Sequence, residues 1–172
     1  MAQVARQLDQ ESTALHEKEG KYLTFTLAEE DYGLEILKVR EIIGMLGITA
    51  IPQTPPYIRG VINLRGRVIP VVDLRLKFGL PPLEYGERTC IIVVDVVSRL
   101  GPVQVGVVVD SVSEVLNVNG KDIAPAPAFG AQIDTSYILG IAKAKGAIKI
   151  LLDIDKVLAS EELAGIENVS SS

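Results

Sequence analysis

Few side chains in this sequence have the types and spacing that catalysis or metal binding requires. The chain has one histidine, His16, near its N-terminus and one cysteine, Cys90, inside an apolar segment. A zinc site needs several converging ligands, and a serine or cysteine nucleophile needs a positioned base. No GxxxxGKS, GxxxxGKT or GxGxxG phosphate-binding motif occurs. The sequence therefore predicts no enzyme, no metal site and no cofactor, and Cys90 is interpreted as an inert core residue.

The remaining charged residues are better suited to capping and binding than to catalysis. Asp73 and Asp153 each follow a strand pattern and precede a short helix pattern, and an aspartate in that position caps a helix N-terminus. Two charged interruptions of apolar segments remain, KVREI with Glu41 and NLRG with Arg65. Taken alone, both residues read as solvated surface charges, and a binding role is the alternative.

Composition narrows the class of protein. The chain has 172 residues, of which 48% are hydrophobic and 23% charged, and this balance is ordinary for a folded domain. A net charge of -5 argues against a nucleic-acid binder, which is usually basic. A single cysteine excludes an internal disulfide and fits a reducing compartment. No apolar segment approaches the roughly 20 residues of a membrane span, and the N-terminus lacks a signal-peptide core. We expect a cytoplasmic protein.

Valine and isoleucine together supply 38 residues, which favours strands, and the pattern along the chain is predominantly β. Polar residues at 1–20 and 166–172 are interpreted as flexible tails. Tyr57–Gly60 is predicted as one helical turn, and short helices are predicted at Leu74–Phe78 and Asp155–Ala164. Strands are predicted from alternation and apolar runs at Lys21–Ala28, Tyr32–Ile36, Lys38–Ile43, Val61–Leu64, Val68–Asp73, Thr89–Val97, Val103–Asp110, Val112–Val118, Tyr137–Ala144 and Ala147–Asp153. Tight hairpin turns are predicted at Arg65-Gly66 and Lys145-Gly146.

An internal repeat is the most informative pattern in the sequence. Residues 57–78 align without a gap with residues 137–158 at an offset of 80. A looser match aligns Tyr32–Ile36 with Val105–Val109 at an offset of 73. The repeat predicts two copies of one β-unit, about 21–86 and 87–165, each folded as a small closed barrel that hides its sheet edges. The five identical pairs at the offset of 80 are Tyr57/Tyr137, Ile58/Ile138, Gly60/Gly140, Gly66/Gly146 and Asp73/Asp153.

Several of these segments resemble the CheW chemotaxis coupling proteins. The similar segments are ILKVREI from Ile36, IRGVINLRG from Ile58, VIPVVDLRLKFG from Val68 and VGVVVDSVSEVL from Val105, together with the PAP loop from Pro125. The resemblance covers about Lys21 to Leu163, most of the chain. It implies an all-β fold, in which two five-stranded SH3-like barrels pack around a shared core with a few short helices.

The resemblance also implies the function. Proteins of this family are non-catalytic adaptors that link the cytoplasmic hairpin tips of chemoreceptors to the regulatory domain of the histidine kinase CheA. They place kinase activity under receptor control and are recruited to membrane-anchored receptor arrays. Neither nucleic-acid binding nor membrane insertion is expected. The competing hypothesis is a double β-barrel that binds a small ligand or an oligonucleotide.

Six residues are carried over from the family as the receptor- or kinase-binding surface. Glu41 of the KVREI match and Arg65 of the NLRG match correspond to the family's charged pair. The segment DVVSRLGPVQ after Val94 looks long for the family, so the strands beside it are expected to differ. The complete set is Val39, Glu41, Ile42, Gly60, Asn63 and Arg65.

Overall fold

The computed structural model describes residues 18–98, 101–126 and 135–158. Eleven strands and two short helices lie within these ranges, with 3₁₀ turns at Ile36–Lys38, Gly120–Asp122 and Thr135–Tyr137. The strands are β1 Gly20–Leu27, β2 Glu30–Glu35, β3 Val39–Gly44, β4 Ile58–Leu64, β5 Arg67–Asp73, β6 Cys90–Ser98, β7 Gly101–Val109, β8 Ser111–Val118, β9 Ile123–Ala124, β10 Ile138–Ala144 and β11 Ala147–Leu152. The helices are α1 Leu74–Lys77 and α2 Ile154–Val157.

Most of the predicted strands are confirmed, and one predicted element is wrong. Tyr57–Gly60 is not a helical turn, because Ile58 pairs with Val72 and Gly60 pairs with Val71 as the start of β4. The predicted C-terminal helix extends over Ile154–Val157, and its expected continuation lies outside the described residues. So do residues 1–17 and 166–172 of the expected tails. The end of the expected N-terminal tail is part of the fold, since Lys18 Nζ donates to the Leu139 carbonyl of β10 at 2.7 Å and β1 begins at Gly20.

The strands form two sheets with the same internal order. The first, which we call sheet one, runs β3-β6-β7-β5-β4, and the second, sheet two, runs β8-β1-β2-β11-β10-β9. The two orders match over five strands when each strand is replaced by its repeat equivalent, and sheet two has β9 as a sixth strand at its edge. Each sheet therefore contains the first hairpin of the other repeat: β6–β7 joins sheet one and β1–β2 joins sheet two. The all-β fold with two barrel-like sheets is confirmed. The expectation that each repeat closes into a barrel of its own is wrong, because each sheet needs a hairpin from the other repeat.

Two parallel strand pairs join the exchanged hairpins to their sheets. Val71 of β5 pairs with Gly106 of β7, and the equivalent Leu151 of β11 pairs with Gly33 of β2. These pairings follow the two sequence offsets of 80 and 73. A side chain at Gly33 would place its Cβ 2.9 Å from a methyl carbon of Leu151. Glycine at this position therefore allows the parallel strands and their side chains to approach.

The hydrophobic core has three parts. A central cluster between the sheets draws on both repeats, with Phe25, Leu34, Val72, Val107 and Leu152 among its buried members. Each sheet also encloses a smaller cluster of its own, one containing Ile62 and Val93 and the other Tyr22 and Leu151. Alternating strand residues face one cluster or the other, which is why strands such as β6 are apolar on both faces.

The chain passes between the sheets at two described crossovers, and an ion pair holds each of them. At the first crossover, between β7 and β8, Arg75 of α1 lies 2.6 Å from Oδ2 of Asp110, which also accepts from Ala28 N–H at 2.9 Å. At the second, between β2 and β3, Lys38 Nζ lies 2.7 Å from Asp155 Oδ2 of α2. Asp155 also accepts from Val97 N–H at 3.0 Å.

These two ion pairs, Arg75–Asp110 and Lys38–Asp155, which we call clasps, are equivalent in position and opposite in polarity. Arg75 and Asp155 are equivalent at the offset of 80, and Ala28 and Val97 occupy matching ends of β1 and β6. The helix supplies the cation in one clasp and the carboxylate in the other. Each ion pair therefore links the helix of one repeat to the crossover of the other repeat, which ties the exchanged hairpins to their sheets.

Asp110→Asn tests the first clasp. The Arg75 and Asp110 side chains are only 12% and 19% exposed, so removing the carboxylate charge leaves a largely buried guanidinium poorly compensated. We expect the free energy of unfolding to fall by about 2 kcal/mol. The matched control is Glu114→Gln in the exposed Glu114–Lys145 pair, which should change stability by about 0–1 kcal/mol. Urea denaturation of both variants measures the difference, and equal losses would contradict the clasp.

Candidate functional site

The predicted charged residues meet where the two edges of sheet one approach each other, a line that we call the seam. β3 and β4 are the two edge strands of this sheet, and the sheet curls until they approach each other. Thr49, in the segment after β3, bridges to Val61 of β4 with two backbone hydrogen bonds of 2.9 Å. Further along the same seam, the Arg65 guanidinium donates to Oε1 of Glu41. The two charges therefore lie across the line on which the barrel closes.

The turn between β4 and β5 presents Arg65 to the seam. Arg65 and Gly66 have φ angles of +52° and +85°, as the two central residues of a type I′ hairpin turn require. Asn63 Oδ1 accepts from Gly66 N–H at 2.8 Å and closes the turn from the strand side. Lys145 and Gly146 repeat these angles in sheet two. The predicted turn at Arg65-Gly66 is confirmed in both copies.

The six predicted residues occupy three different environments. Glu41, Asn63 and Arg65 share the seam and its turn; Glu41 is 28% exposed and Arg65 is 70% exposed. Gly60 is buried on β4. Val39 packs against the central cluster, whereas Ile42 is exposed at 43%, on the face of β3 away from Glu41. The residues form one local region, but only part of it is a common solvent-facing surface.

Gly60 has a structural task at the seam. Its φ is +137°, and a Cβ there would lie 2.0 Å from the Thr49 carbonyl oxygen. Any side chain must therefore push the Thr49 backbone away from β4 and open the seam. Gly60 thus positions the site without presenting any group to a partner.

Gly60→Ala tests this closure. We expect it to lower the free energy of unfolding by roughly 2–4 kcal/mol, since the substitution adds backbone strain and a steric overlap with backbone atoms. Gly44→Ala is the matched control, because a Cβ on Gly44 of β3 would have no atom within 4 Å and should be nearly neutral. Thermal and urea denaturation give both values, and a neutral Gly60→Ala would contradict the close approach.

Asn63→Ala separates turn formation from binding. Loss of the Asn63–Gly66 hydrogen bond should lower the free energy of unfolding by about 0.5–1.5 kcal/mol. The cost is small because the bond joins residues three apart in an exposed turn. Partner binding should fall less than in variants that reverse the charge of Glu41 or Arg65. Calorimetric titration with the two partners that the resemblance implies measures binding, and a urea denaturation curve measures stability. A loss of binding with unchanged stability would instead place the Asn63 amide in contact with a partner.

Two groups near the base of β3 have shifted pKa values. Burial raises the pKa of the Glu35 carboxyl, and the hydrogen bond from Lys38 to Asp155 raises the pKa of the Lys38 amine. Both belong to the second crossover. The raised pKa favours the charged form of the Lys38 amine, which donates the hydrogen bond to Asp155.

The seam carries further residues that sequence reasoning missed. A shallow depression of about 540 Å³ is lined by Arg40, Glu41, Arg65, Arg67 and Gln104. Arg40 and Arg67 directly adjoin Glu41 and the Arg65-Gly66 turn in sequence, and that adjacency was the available signal. Gln104 comes from β7 and could be found only from strand pairing.

Sheet two repeats the charged pair. Glu114 and Lys145 are equivalent to Glu41 and Arg65 at offsets of 73 and 80, and Lys145 Nζ lies 2.8 Å from Glu114 Oε2. Exposed apolar residues also recur, since Ile42 corresponds to Val115 and Val68 to Ile148. The repeat therefore extends from the fold to the surface chemistry.

Within the described ranges, no group of three or more histidine, cysteine, aspartate or glutamate side chains is arranged to hold a metal ion. No described helix is long and apolar enough to cross a membrane. The site offers guanidinium and carboxylate groups around an open depression, together with exposed aliphatic side chains. Such an arrangement is suited to protein recognition through charge complementarity.

Comparison with known proteins places this architecture in a family. The family model for the CheW-like domain matches residues 21–162, and the chain therefore belongs to the CheW-like family. The chemotaxis protein CheW of Klebsiella aerogenes is 44% identical over 152 residues, covering 88% of this chain and 89% of that protein. The chemotaxis protein CheW of Rhizobium meliloti is 37% identical over 140 residues, covering 81% of this chain and 88% of that protein.

A solved structure shares the fold. The crystal structure of the scaffolding protein TtCheW from Thermoanaerobacter tengcongensis matches with a TM-score of 0.74 and 38% sequence identity. The match covers 84% of this chain and 95% of that one. The resemblance noted from the sequence is therefore confirmed, as is the class of chemotaxis scaffold protein that it indicated.

Proposed function

We propose that this protein is a non-catalytic adaptor that couples the cytoplasmic tips of chemoreceptors to the histidine kinase CheA and places kinase activity under receptor control. The match to the CheW-like family over residues 21–162 carries the proposal. The proposal includes a cytoplasmic location and recruitment to receptor arrays. Its partners are the receptor hairpin tip and the regulatory domain of the kinase.

The chemistry of the seam supports a binding role for the Glu41–Arg65 pair. Arg65 is largely exposed, and an exposed ion pair contributes only about 0–1 kcal/mol to stability. The fold therefore gains little from these two charges. A partner gains more, because opposite charges held side by side on a rigid seam define the orientation in which a complementary surface can dock.

The proposed contact surface comprises the six residues of the sequence prediction in two roles. Glu41 and Arg65 present their charged groups at the seam, and Ile42 presents an exposed apolar side chain on the other face of β3. Val39, Gly60 and Asn63 hold those groups in place through core packing, seam closure and the turn hydrogen bond. Substitutions in the second set should therefore affect binding mainly through stability or local order.

Charge reversal at the seam tests the proposal. Glu41→Lys sets two cations together and Arg65→Glu sets two carboxylates together, so each should weaken binding while leaving the fold intact. The double variant should recover more binding than either single change, since it restores an opposite-charge pair. Calorimetric titration against a receptor cytoplasmic fragment and the kinase regulatory domain measures this. Melting temperatures within a few degrees of the parent verify folding.

The repeat provides a matched control. Glu114→Lys makes the same change in the equivalent pair of sheet two, so it separates a loss specific to the sheet-one seam from an effect of net charge. A double variant that binds worse than both single variants would show that each charge contacts the partner directly. Full binding by both single variants would remove the seam from the functional surface.

A further inference from the structure

The depression around the Glu41–Arg65 pair is bordered by three arginines. Arg40, Arg65 and Arg67 line it together with Gln104. A second depression of about 360 Å³ adjoins it, sharing Arg40, Arg67 and Gln104 and adding Asp95 and Pro102. Val68, which is 49% exposed, lies in its lining. The combined surface is basic and partly apolar on a chain whose net charge is -5.

The two arginines beside the pair remain available to a partner. Arg40 is 58% exposed and its Nε lies 3.4 Å from Asp95, which makes a loose surface ion pair. Arg67 is exposed and forms no ion pair with a described residue. A guanidinium group can donate two parallel hydrogen bonds to a carboxylate. The face therefore carries unused capacity for carboxylate binding next to the proposed contact pair.

An extended hairpin builds the opposite side of the depression. β6 and β7 pair with each other from Cys90↔Val109 to Ser98↔Gly101, whereas β3 pairs with β6 only as far as Val94. Beyond Val94 the hairpin is not paired with β3 or β5, and it contributes Asp95, Pro102 and Gln104 to the lining. It coincides with the segment that looked long in the sequence.

Sheet two lacks the two flanking arginines at the equivalent positions. At the repeat offsets, Ser113 is the equivalent of Arg40 and Ala147 is the equivalent of Arg67, while Lys145 corresponds to Arg65. The charged pair is therefore duplicated, but the two flanking arginines are confined to sheet one. Arginines added around a shared pair are suited to distinguishing one partner from another.

We propose that Arg40 and Arg67, with Gln104 of the extended hairpin, form a carboxylate-binding patch that docks an acidic protein surface. The occupant is a folded partner presenting at least two carboxylates beside the residues that meet Glu41 and Arg65. This inference rests on the proposed function, because it assigns partner chemistry to the same seam.

Arg67→Glu and Arg40→Glu test the patch. The probe is the kinase regulatory domain or the receptor cytoplasmic fragment, whichever binds Glu41→Lys more weakly than it binds the parent. Each arginine variant should bind that probe about tenfold more weakly than the parent at low salt. The loss should shrink at high salt, because exposed charges are screened. Arg67→Lys should bind between the parent and Arg67→Glu, since it keeps the charge but loses the paired donors. Unchanged melting temperatures would show that the fold is retained.

Lys143→Glu on β10 is the matched control, because Lys143 is an exposed residue of sheet two and the change in net charge is the same. Parent-like binding by this control, with tenfold losses in the arginine variants, supports the patch. Equal losses in all three reversals would overturn it in favour of a net-charge effect. Parent-like binding by both arginine variants while Glu41→Lys is impaired would also overturn it, leaving the adaptor function intact. Absence of parent binding to both probes would overturn the adaptor function itself.

Discussion

The parallel pairing of β5 with β7 and of β2 with β11 is the constraint on which the rest of the structure depends. Each pairing inserts the first hairpin of one repeat into the sheet of the other. Neither sheet can therefore be completed by one repeat alone. The central cluster draws on both repeats, so the two barrel-like sheets are built as a unit.

The clasps fasten the two crossovers at which the chain changes sheets. Arg75–Asp110 links α1 to the β7–β8 crossover, and Lys38–Asp155 links α2 to the β2–β3 crossover. Each pair joins the helix of one repeat to a crossover of the other, with the polarity inverted between the two. The clasps therefore reinforce the exchange that the parallel strand pairs make.

In the proposed function, the seam of sheet one separates the demands of folding from those of binding. Gly60, Thr49 and Asn63 close the seam with backbone contacts and a turn hydrogen bond. Glu41 and Arg65 lie on this rigid base with little effect on stability, so their charges are available for recognition. The flanking arginines and the extended hairpin are then additions to a common platform, and they differ between its two copies.

Much of the local structure could be predicted because it depends on short-range chemistry. Period-two alternation gave the strands, Asp73 and Asp153 the helix caps, and Arg65-Gly66 the turn, since each involves neighbouring residues. The helical turn expected at Tyr57–Gly60 failed because pairing with Val71 and Val72 determines that segment. That partner lies in the other strand of the hairpin, so the pattern of residues 57–60 taken alone does not show it.

The sequence by itself determined the repeat, most strand and turn positions, the family, and the two segments that contain Glu41 and Arg65. Only the tertiary structure decided that the hairpins exchange between sheets, that Glu41 meets Arg65 across the seam, and that Arg40, Arg67 and Gln104 gather beside them. The physical reason is that these contacts form between strands far apart in the chain. Their geometry follows from strand register and barrel closure, which are settled by the packing of all the strands together.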